Sequence, residues 1–247
     1  MKTKHIIEAA CCSNIGKIRK NNEDNFCFDN NIDTLKDGSV LKYKGTVQTG
    51  LYFALFDGMG GENFGEFASE TAASKMLDLD IRLPRINTIK AVVEELNKAV
   101  VLKQQEMLTD KMGTTMASFH FFQNTVFVCN VGDSRVYRFR NGSIQQLSSD
   151  HTETQIENKN KKGALIQYLG MDPSEVRLEP HILKREFESG DIYLLCSDGL
   201  TDMLTDFEIN NIIKANNNSE IIVEKLISAA IESGGRDNIT VIVCKIQ

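Results

Sequence analysis

The sequence predicts an α+β layered sandwich, in which helices cover the faces of antiparallel sheets. Apolar runs rich in β-branched and aromatic residues occur in groups, as expected for neighbouring strands. One pair of runs is joined by Asn141-Gly142, a two-residue turn typical of hairpins because both residues tolerate positive φ. Segments with helical periodicity stand between the groups and do not alternate with single strands, which argues against a parallel βαβ sheet.

The predicted strands are short apolar segments bounded by polar residues or glycine. The Asn141-Gly142 turn makes Arg135–Arg140 and Ser143–Leu147 antiparallel neighbours. The other predicted strands are Ile6–Cys12, Leu51–Phe56, Thr115–Phe122, Thr125–Val131, Asp191–Cys196 and Asn238–Ile246.

The predicted helices have apolar residues spaced as on one face of a helix. One runs from Ile89 to Met107 and a second from Ile222 to Ile231. Ser219 is placed to cap the start of the second helix and Gly234 to end it. A further helix is predicted over Phe64–Leu77.

Composition predicts one globular domain over residues 1–247. The chain is 41% hydrophobic with only 3 prolines, and it contains no repeat or low-complexity linker. A net charge of -6 with both signs interspersed argues against a nucleic-acid partner. No apolar run approaches the roughly 20 residues of a membrane span. Because no export signal follows Met1, we expect a cytoplasmic protein. We also expect a monomer.

The 6 cysteines are interpreted as reduced, buried small side chains. Most lie in apolar β-like runs, and none has the paired CxxC spacing of a zinc site. Cys196 stands close to Asp198, but it lacks the following loop and arginine of a tyrosine-phosphatase signature. No cysteine is therefore expected to act as a nucleophile.

Acidic residues collect next to predicted strands. An Asp-Gly pair after a strand is most often a plain turn, in which Asp bonds its own backbone and Gly supplies positive φ. The three glycines that follow Asp57 indicate a binding site and not a plain turn, because they let the backbone approach a ligand closely. Carboxylates that repel one another converge where divalent cations offset their charge, which indicates Mg²⁺ or Mn²⁺. The clusters are Asn22-Glu23-Asp24, Asp57-Gly58-Met59-Gly60-Gly61, Ser197-Asp198-Gly199 and Arg236-Asp237-Asn238.

Seven ordered segments resemble the metal-dependent Ser/Thr protein phosphatases, the protein phosphatase type 2C (PPM) family, in its bacterial single-domain branch. Each segment alone is weak evidence, but together they follow the order of the family and cover nearly the whole chain. The segments are Gly16–Asn25, Phe53–Gly61, Met112–Thr115, Val131–Arg135, Ser149–Thr152, Leu195–Leu200 and Gly235–Thr240.

The resemblance implies a four-layer αββα sandwich of two antiparallel sheets flanked by helices, with the metals at one end. It implies that Asp57 bridges two cations, Mn²⁺ or Mg²⁺, and that Asp198 and Asp237 bind one of them. The Gly58 carbonyl would bind the second ion. The implied reaction is direct attack of a metal-activated water on phosphoserine and phosphothreonine in proteins. The implied partners are phosphorylated proteins, including the targets of a bacterial Ser/Thr kinase.

The resemblance also implies roles for residues near the N-terminus. Asp24 and Glu23 would hold the second ion through its water shell. Arg19 would grip the substrate phosphate, since a guanidinium fork suits a phosphate dianion better than an ammonium group does. The alternative for Arg19 is a solvated surface charge between Lys17 and Lys20.

The segment after Asp150-His151-Thr152 departs from the family pattern. Bacterial relatives have a long flap there with Pro-Glu-Glu and His-Pro, whereas the run up to Tyr168 is shorter and contains neither. Asp133 resembles the ligand of a third, weaker cation shared with Asp198, and a short flap would leave that ion more loosely held. A more open cleft would also make discrimination between phosphopeptides modest. Without a third ion, Asp133 would be a hairpin-turn residue, and His151 is predicted to brace its loop.

Two other functions stay open on the sequence alone. A phosphatase-like domain that has lost catalysis could act as a regulatory or binding module, but it should have lost ligands, and Asp57, Gly58, Asp198 and Asp237 are all present. A two-metal nuclease shares the ion chemistry, but the acidic balance of the chain disfavours the basic groove that it would need.

Overall fold

Two antiparallel sheets form the centre of the molecule. The computed structural model describes residues 5–28, 37–47, 50–60, 64–79, 81, 83–153 and 163–247. The first sheet has the strand order β3-β1-β12-β11-β8-β9, and every pairing in it is antiparallel. Its strands are β3 (Val40–Thr46), β1 (Ile6–Asn14), β12 (Ile239–Ile246), β11 (Ile192–Cys196), β8 (Arg135–Arg140) and β9 (Ser143–Gln146).

The second sheet is also antiparallel, with the order β10-β7-β6-β4-β2 and a short β5 paired to the end of β4. Its strands are β10 (His181–Glu186), β7 (Thr125–Val131), β6 (Met116–Phe122), β4 (Leu51–Met59), β2 (Asp24–Phe28) and β5 (Gly113–Thr114).

Helices cover the outer face of each sheet. An apolar layer that includes Phe53, Phe119, Tyr193 and Ile242 lies between the two sheets. The second sheet packs against α1 and α2, and the first sheet packs against the remaining described helices. This arrangement confirms the predicted αββα sandwich. The described helices are α1 (Gly65–Leu77), α2 (Ile86–Glu106), α3 (Asp198–Thr201), α4 (Asp206–Ala215) and α5 (Ser219–Glu232).

The strand predictions are confirmed in the interior of the sheets and incomplete at their edges. The hairpin at Asn141-Gly142 is present, with φ of 52° and 81°. The sequence analysis missed β2, β3, β5 and β10. Of these, β2, β3 and β10 are edge strands, and β3 and β10 have half-exposed or exposed side chains throughout. An edge strand with little burial lacks the apolar signal on which the prediction depends.

The helix predictions need one correction, at the start of α5, and they omit α3 and α4. Asn218, and not Ser219, caps α5, because its side chain accepts hydrogen bonds from the backbone N–H groups of Glu220 (2.8 Å) and Ile221 (3.2 Å). Helix α4 was not predicted, although Thr205 and Glu208 form a capping box at its start, which is a recognisable sequence signal. Among the described residues, no helix combines the length and apolar character needed to cross a bilayer.

The layer between the sheets becomes polar at one end. Side chains alternate along a strand, so Asp57 continues the face of Phe53 and Leu55, and Asp24 continues that of Phe26. In the first sheet, Thr240 and Ser197 likewise extend inward-facing apolar rows, and both contact Asp24. The same alternation that builds the core therefore directs polar side chains from both sheets toward one end of the sandwich.

Candidate active site

An open cavity of about 840 Å³ lies at this polar end. It is bordered by loops and strand ends that are far apart in sequence, and most of its charged side chains are acidic. They are Glu23, Asp57, Asp133, Asp198 and Asp237, with Arg19 and Lys20 as the cations.

Asp57 lies inside β4 and not in a turn after it. Its backbone N–H donates to Thr115 Oγ1 (3.1 Å), and its carbonyl accepts from the Thr114 hydroxyl and the Thr115 N–H (both 2.9 Å). Burial raises the pKa of Asp57 well above its usual range, and neighbouring negative charges raise it further. The sources of that charge are Asp198, Asp24, Asp133 and Asp237, in decreasing order.

Asp24 lies directly across from Asp57 in the β2–β4 register, but it is fully buried and does not border the cavity. Its Oδ2 accepts from the hydroxyls of Ser197 (2.9 Å) and Thr240 (2.6 Å), whereas Oδ1 is buried without a hydrogen-bond partner. Burial raises the pKa of Asp24 to about 7. A buried carboxylate oxygen without a partner fits a site in which a cation or its water would complete the contacts.

Asp198 and Asp237 lie next to the ends of two strands of the first sheet. Asp198 begins α3 immediately after β11, and Asp237 lies in the turn between α5 and β12. The two segments pack closely, because a Cβ added at Gly199 would come within 2.9 Å of the Asn238 carbonyl carbon. Asp237 uses one oxygen to accept from the Asn238 N–H (2.8 Å) and the other to accept from Arg19.

Arg19 points into the cavity and is not an isolated surface charge. Its guanidinium donates to Asp237 Oδ2 at 2.7 Å, with 49% of the side chain exposed. Asn238 fastens the loop that carries it, donating to the carbonyls of Ile15 (3.0 Å) and Asn21 (2.9 Å) and accepting from the Glu23 N–H (2.8 Å). The loop therefore presents a cation beside the carboxylates.

Gly58 allows two backbone segments to meet beneath the cavity. Its N–H donates to the Glu23 carbonyl (3.1 Å), and a Cβ at Gly58 would lie 2.5 Å from that same oxygen. A side chain there would force β4 away from the Glu23 loop. The Glu23 carboxyl is half-buried, and its pKa is raised by burial and then by the charge of Glu66.

Asp133 lies on a connection between the two sheets, so the alternative of a hairpin-turn residue is wrong: β7 belongs to the second sheet and β8 to the first. It is 5% exposed. Gly132 before it has φ of +100°, and its N–H donates to Nδ1 of His151 (3.2 Å), as expected for a bracing histidine. Ser134 after it shares a hydrogen bond with Thr115 Oγ1 (2.7 Å). Most of the shortened segment 157–163 lies outside the described residues.

The carboxylates border one cavity but do not form a closed cluster. Within the part of the chain that the structure describes, no three acidic, histidine or cysteine side chains are placed to hold an ion by themselves. Asp237 is turned toward Arg19 and Asn238.

The cysteines have no place in this site. All six are buried and none forms a disulfide. Burial raises the pKa of Cys196 to about 12, so its thiol stays protonated and is a poor nucleophile near neutral pH.

The positioning residues around the carboxylates were not singled out in the sequence. Ser197 and Thr240 bind Asp24, Thr115 fixes Asp57, and Asn238 fixes the Arg19 loop. Each of these residues lies inside one of the segments that resemble the family. Each is also a polar residue at or next to the end of an apolar strand, and this combination could have identified them from the sequence.

Known proteins resemble this chain over nearly its whole length. Residues 13–160 and 155–239 match the protein phosphatase 2C family. The serine/threonine phosphatase stp of Listeria monocytogenes is 31% identical, covering 92% of this chain and 91% of the relative. PstP of Mycobacterium tuberculosis, a serine/threonine protein phosphatase, is 30% identical over 98% of this chain and 45% of its own length.

Solved structures show the same architecture. The catalytic domain of PstP in complex with two manganese ions is 29% identical, with a TM-score of 0.78 over 98% of this chain and 99% of that one. A serine/threonine phosphatase from S. agalactiae is 25% identical, with a TM-score of 0.82 over 98% and 100% of the two chains. The chain therefore belongs to the protein phosphatase 2C family, whose bacterial members similar to it are serine/threonine phosphatases.

Proposed function

We propose that this chain is a metal-dependent phosphatase of phosphoserine and phosphothreonine in proteins, and that residues 1–247 act as one catalytic domain. The observation that carries the proposal is the set of carboxylates from both sheets around Asp57, with Arg19 beside them in one open cavity. The family membership and the manganese ions of the PstP structure support it.

The proposed ligands of two cations, Mn²⁺ or Mg²⁺, are Asp57 between them, Asp198 and Asp237 on one, and the Gly58 carbonyl on the other. Glu23, which borders the cavity, would act through water. When bound, the cations would supply a water of lowered pKa and offset charge on the phosphoryl oxygens.

The buried Asp24 supports this site from behind. It holds Ser197 and Thr240 of the first sheet against β2 of the second, and its free oxygen would accept from a water of the ion's shell. The carboxylates would thus be kept at one end of the sandwich by a hydrogen-bonded polar layer and not by surface loops alone.

Arg19 is proposed to bind the phosphate of the substrate. Its guanidinium can form two parallel hydrogen bonds to phosphate oxygens. It now donates to Asp237, so binding of substrate would exchange one anionic partner for another. We propose hydrolysis without a covalent phosphoenzyme, because a water activated by the cations would serve as the nucleophile and no cysteine borders the cavity.

The proposed substrates are proteins phosphorylated by a Ser/Thr kinase, in keeping with the names of the bacterial relatives. The test is turnover of p-nitrophenyl phosphate and of a phosphothreonine peptide with Mn²⁺, with Mg²⁺ and with chelator. We expect no turnover in chelator and recovery when metal is restored. Turnover that is indifferent to chelator, or absent with both metals, would contradict the proposal.

Arg19→Ala is expected to raise KM for p-nitrophenyl phosphate roughly tenfold and to weaken inhibition by inorganic phosphate similarly, because a charge-assisted contact to a ground-state dianion is lost. The effect on kcat should be smaller. Lys17→Ala is the matched control, since Lys17 is exposed on the same loop and does not border the cavity. An unchanged inhibition constant for phosphate in Arg19→Ala would remove Arg19 from the phosphate site.

Asp133→Ala tests the third, weaker ion. We expect wild-type activity to keep rising at Mn²⁺ concentrations above those that fill two sites, because a loosely held ion keeps more of its waters. Asp133→Ala should lose that additional rise while retaining the first two ions, measured by calorimetry alongside the rate. Asp172→Ala, at an exposed turn, is the control. The third site does not exist if activity saturates with the first two ions and the variant matches wild type.

A further inference from the structure

A smaller apolar cavity lies beside the acidic one, with a volume of about 390 Å³. We propose that it is a substrate subsite, which takes an apolar side chain of the phosphoprotein close to the phosphorylated residue. The proposal rests on the proposed phosphatase function. Apart from the exposed Asp110 and Lys111, the cavity is bordered by glycine and by apolar or aromatic side chains: Met59, Gly60, Met112, Gly113, Leu165 and Tyr168.

The two cavities adjoin. Met59, Gly60 and Leu165 border both of them. Met59 follows Asp57 by two positions on the same strand, so the apolar cavity begins where the acidic one ends. Successive residues of an extended peptide are about 3.3–3.6 Å apart, so a residue within a few positions of the phosphorylated one can reach the apolar cavity.

Tyr168 forms one wall and is packed tightly. A Cβ added at Gly113 would lie 2.6 Å from Tyr168 Cδ2 and 3.0 Å from the terminal methyl of Met59. The absence of a side chain at Gly113 therefore leaves the space in which the ring and the methionine meet. Leu169, next in the chain, exchanges two backbone hydrogen bonds with Thr114 (3.0 and 2.8 Å), which ties this wall to β5.

Buried polar side chains of α2 hold the same wall. Gln104 Nε2 donates to the Gly170 carbonyl (2.8 Å) and also to the Met112 carbonyl. Asn97 Oδ1 accepts from the Gly170 N–H (2.7 Å), and its amide donates to the Met171 carbonyl (2.9 Å). The backbone that follows Tyr168 is thus fixed without a substrate, and a preformed pocket costs less to fill than one that must be ordered.

Leu165 also borders the apolar cavity, and backbone hydrogen bonds hold its segment. The Ile166 N–H donates to the His151 carbonyl (2.9 Å), and the Glu153 N–H donates to the Ala164 carbonyl (2.9 Å). Leu165 itself pairs with Thr152 in an isolated bridge. Its side chain is half-buried, whereas the adjacent Ile166 is 49% exposed and borders neither cavity. The chain therefore provides a matched pair of positions for testing.

The chemistry of the lining selects the occupant. A serine side chain placed here would lose water contacts without gaining partners from the apolar walls, whereas leucine, methionine or phenylalanine would be removed from water. Because the cavity remains partly open, we expect roughly a tenfold preference in kcat/KM, less than full burial of a leucine would give. A tenfold effect agrees with the modest discrimination predicted from the sequence.

The experiment uses phosphothreonine peptides of otherwise small, polar composition, with one leucine or one serine at each of the three positions on either side of the phosphothreonine. The measurement is the leucine-to-serine ratio of kcat/KM for wild type, Tyr168→Ser, Leu165→Ser and Ile166→Ser, with Mn²⁺ present. Since each ratio compares two peptides on the same enzyme, a general loss of folded or active protein cancels. Turnover of p-nitrophenyl phosphate, which has no flanking residue, reports separately on the phosphatase function.

We expect a ratio of roughly ten at one or two positions for wild type and Ile166→Ser, falling toward one in Tyr168→Ser and Leu165→Ser. If wild type hydrolyses p-nitrophenyl phosphate but its leucine-to-serine ratio is near one at every position, the subsite proposal is wrong and the phosphatase proposal is unaffected. A leucine preference that survives in both subsite variants would also overturn it, as would a stronger preference for a charged residue. Failure to hydrolyse any phosphate ester would overturn the phosphatase function, and the subsite with it.

Discussion

Asp57→Asn is expected to lower turnover with saturating Mn²⁺ by on the order of a thousandfold or more, because the proposed bridging carboxylate contributes to both ion sites. Asp198→Asn and Asp237→Asn should have losses of the same kind. The substitution keeps the size of the side chain, so β4 and its hydrogen bonds to Thr114 and Thr115 should persist. The measurement is kcat for p-nitrophenyl phosphate, with bound metal determined on the same samples.

Thermal unfolding of the metal-free protein separates loss of the site from loss of the fold. Burial and four neighbouring carboxylates raise the pKa of Asp57. A carboxyl whose native pKa exceeds its unfolded value of about 3.9 binds more protons when folded, so stability falls as pH rises above about 4 toward the native pKa. Asp57→Asn removes this effect, and we expect its melting temperature in chelator near pH 7 to equal or exceed that of wild type.

The control for Asp57→Asn is Asp172→Asn, which changes an exposed carboxylate that does not border the cavity. It should match wild type in turnover and metal content. Near-normal turnover of Asp57→Asn at saturating Mn²⁺ would exclude Asp57 from the site. A clearly lower melting temperature for Asp57→Asn in chelator would mean that the lost turnover reports on folding.

Arg140→Ala is expected to destabilise the protein by about 3 kcal/mol, because it leaves a buried carboxylate without its cation. Arg140 makes two hydrogen bonds of 2.6 Å to Asp191, whose side chain is 1% exposed, and one of 2.6 Å to Glu188. Asp191 would keep the Glu188 N–H (2.9 Å) and the Tyr193 hydroxyl (3.3 Å), which limits the loss. For a chain of this length the melting temperature should fall by roughly 10 °C.

Lys42→Ala is the matched control for Arg140→Ala. Lys42 forms an ion pair with Glu220 of 2.8 Å, but 64% of its side chain is exposed, and such pairs contribute about 0–1 kcal/mol. Arg140 closes β8 at the end opposite Asp133, so kcat per folded molecule should stay near wild type. If the melting temperature of Arg140→Ala falls no further than that of Lys42→Ala, then Arg140 is not needed to stabilise the buried Asp191 carboxylate.

The sequence by itself determined the layered architecture and the identity of most of the candidate carboxylates. Thr125–Val131 was predicted with the bounds that the structure has, because burial on both faces gives a strong apolar signal. Arg135–Arg140 was also predicted with its observed bounds, because the Asn141-Gly142 turn marks its end. The acidic residues next to such strands were recognised by type and order. The roles assigned to Asp57, Asp198, Asp237 and Arg19 remain predictions, which the substitutions above test.

Only the tertiary structure decided how these residues are placed relative to one another. It puts Asp24 behind Asp57, bonded to Ser197 and Thr240, and it pairs Arg19 with Asp237 across 218 positions of the chain. It also places Asp133 on a crossing between sheets and creates the apolar cavity at Tyr168. These contacts depend on which strands of two stacked sheets end at the same edge. Strand order and sheet stacking are set by the summed packing of the whole core, which local periodicity does not encode.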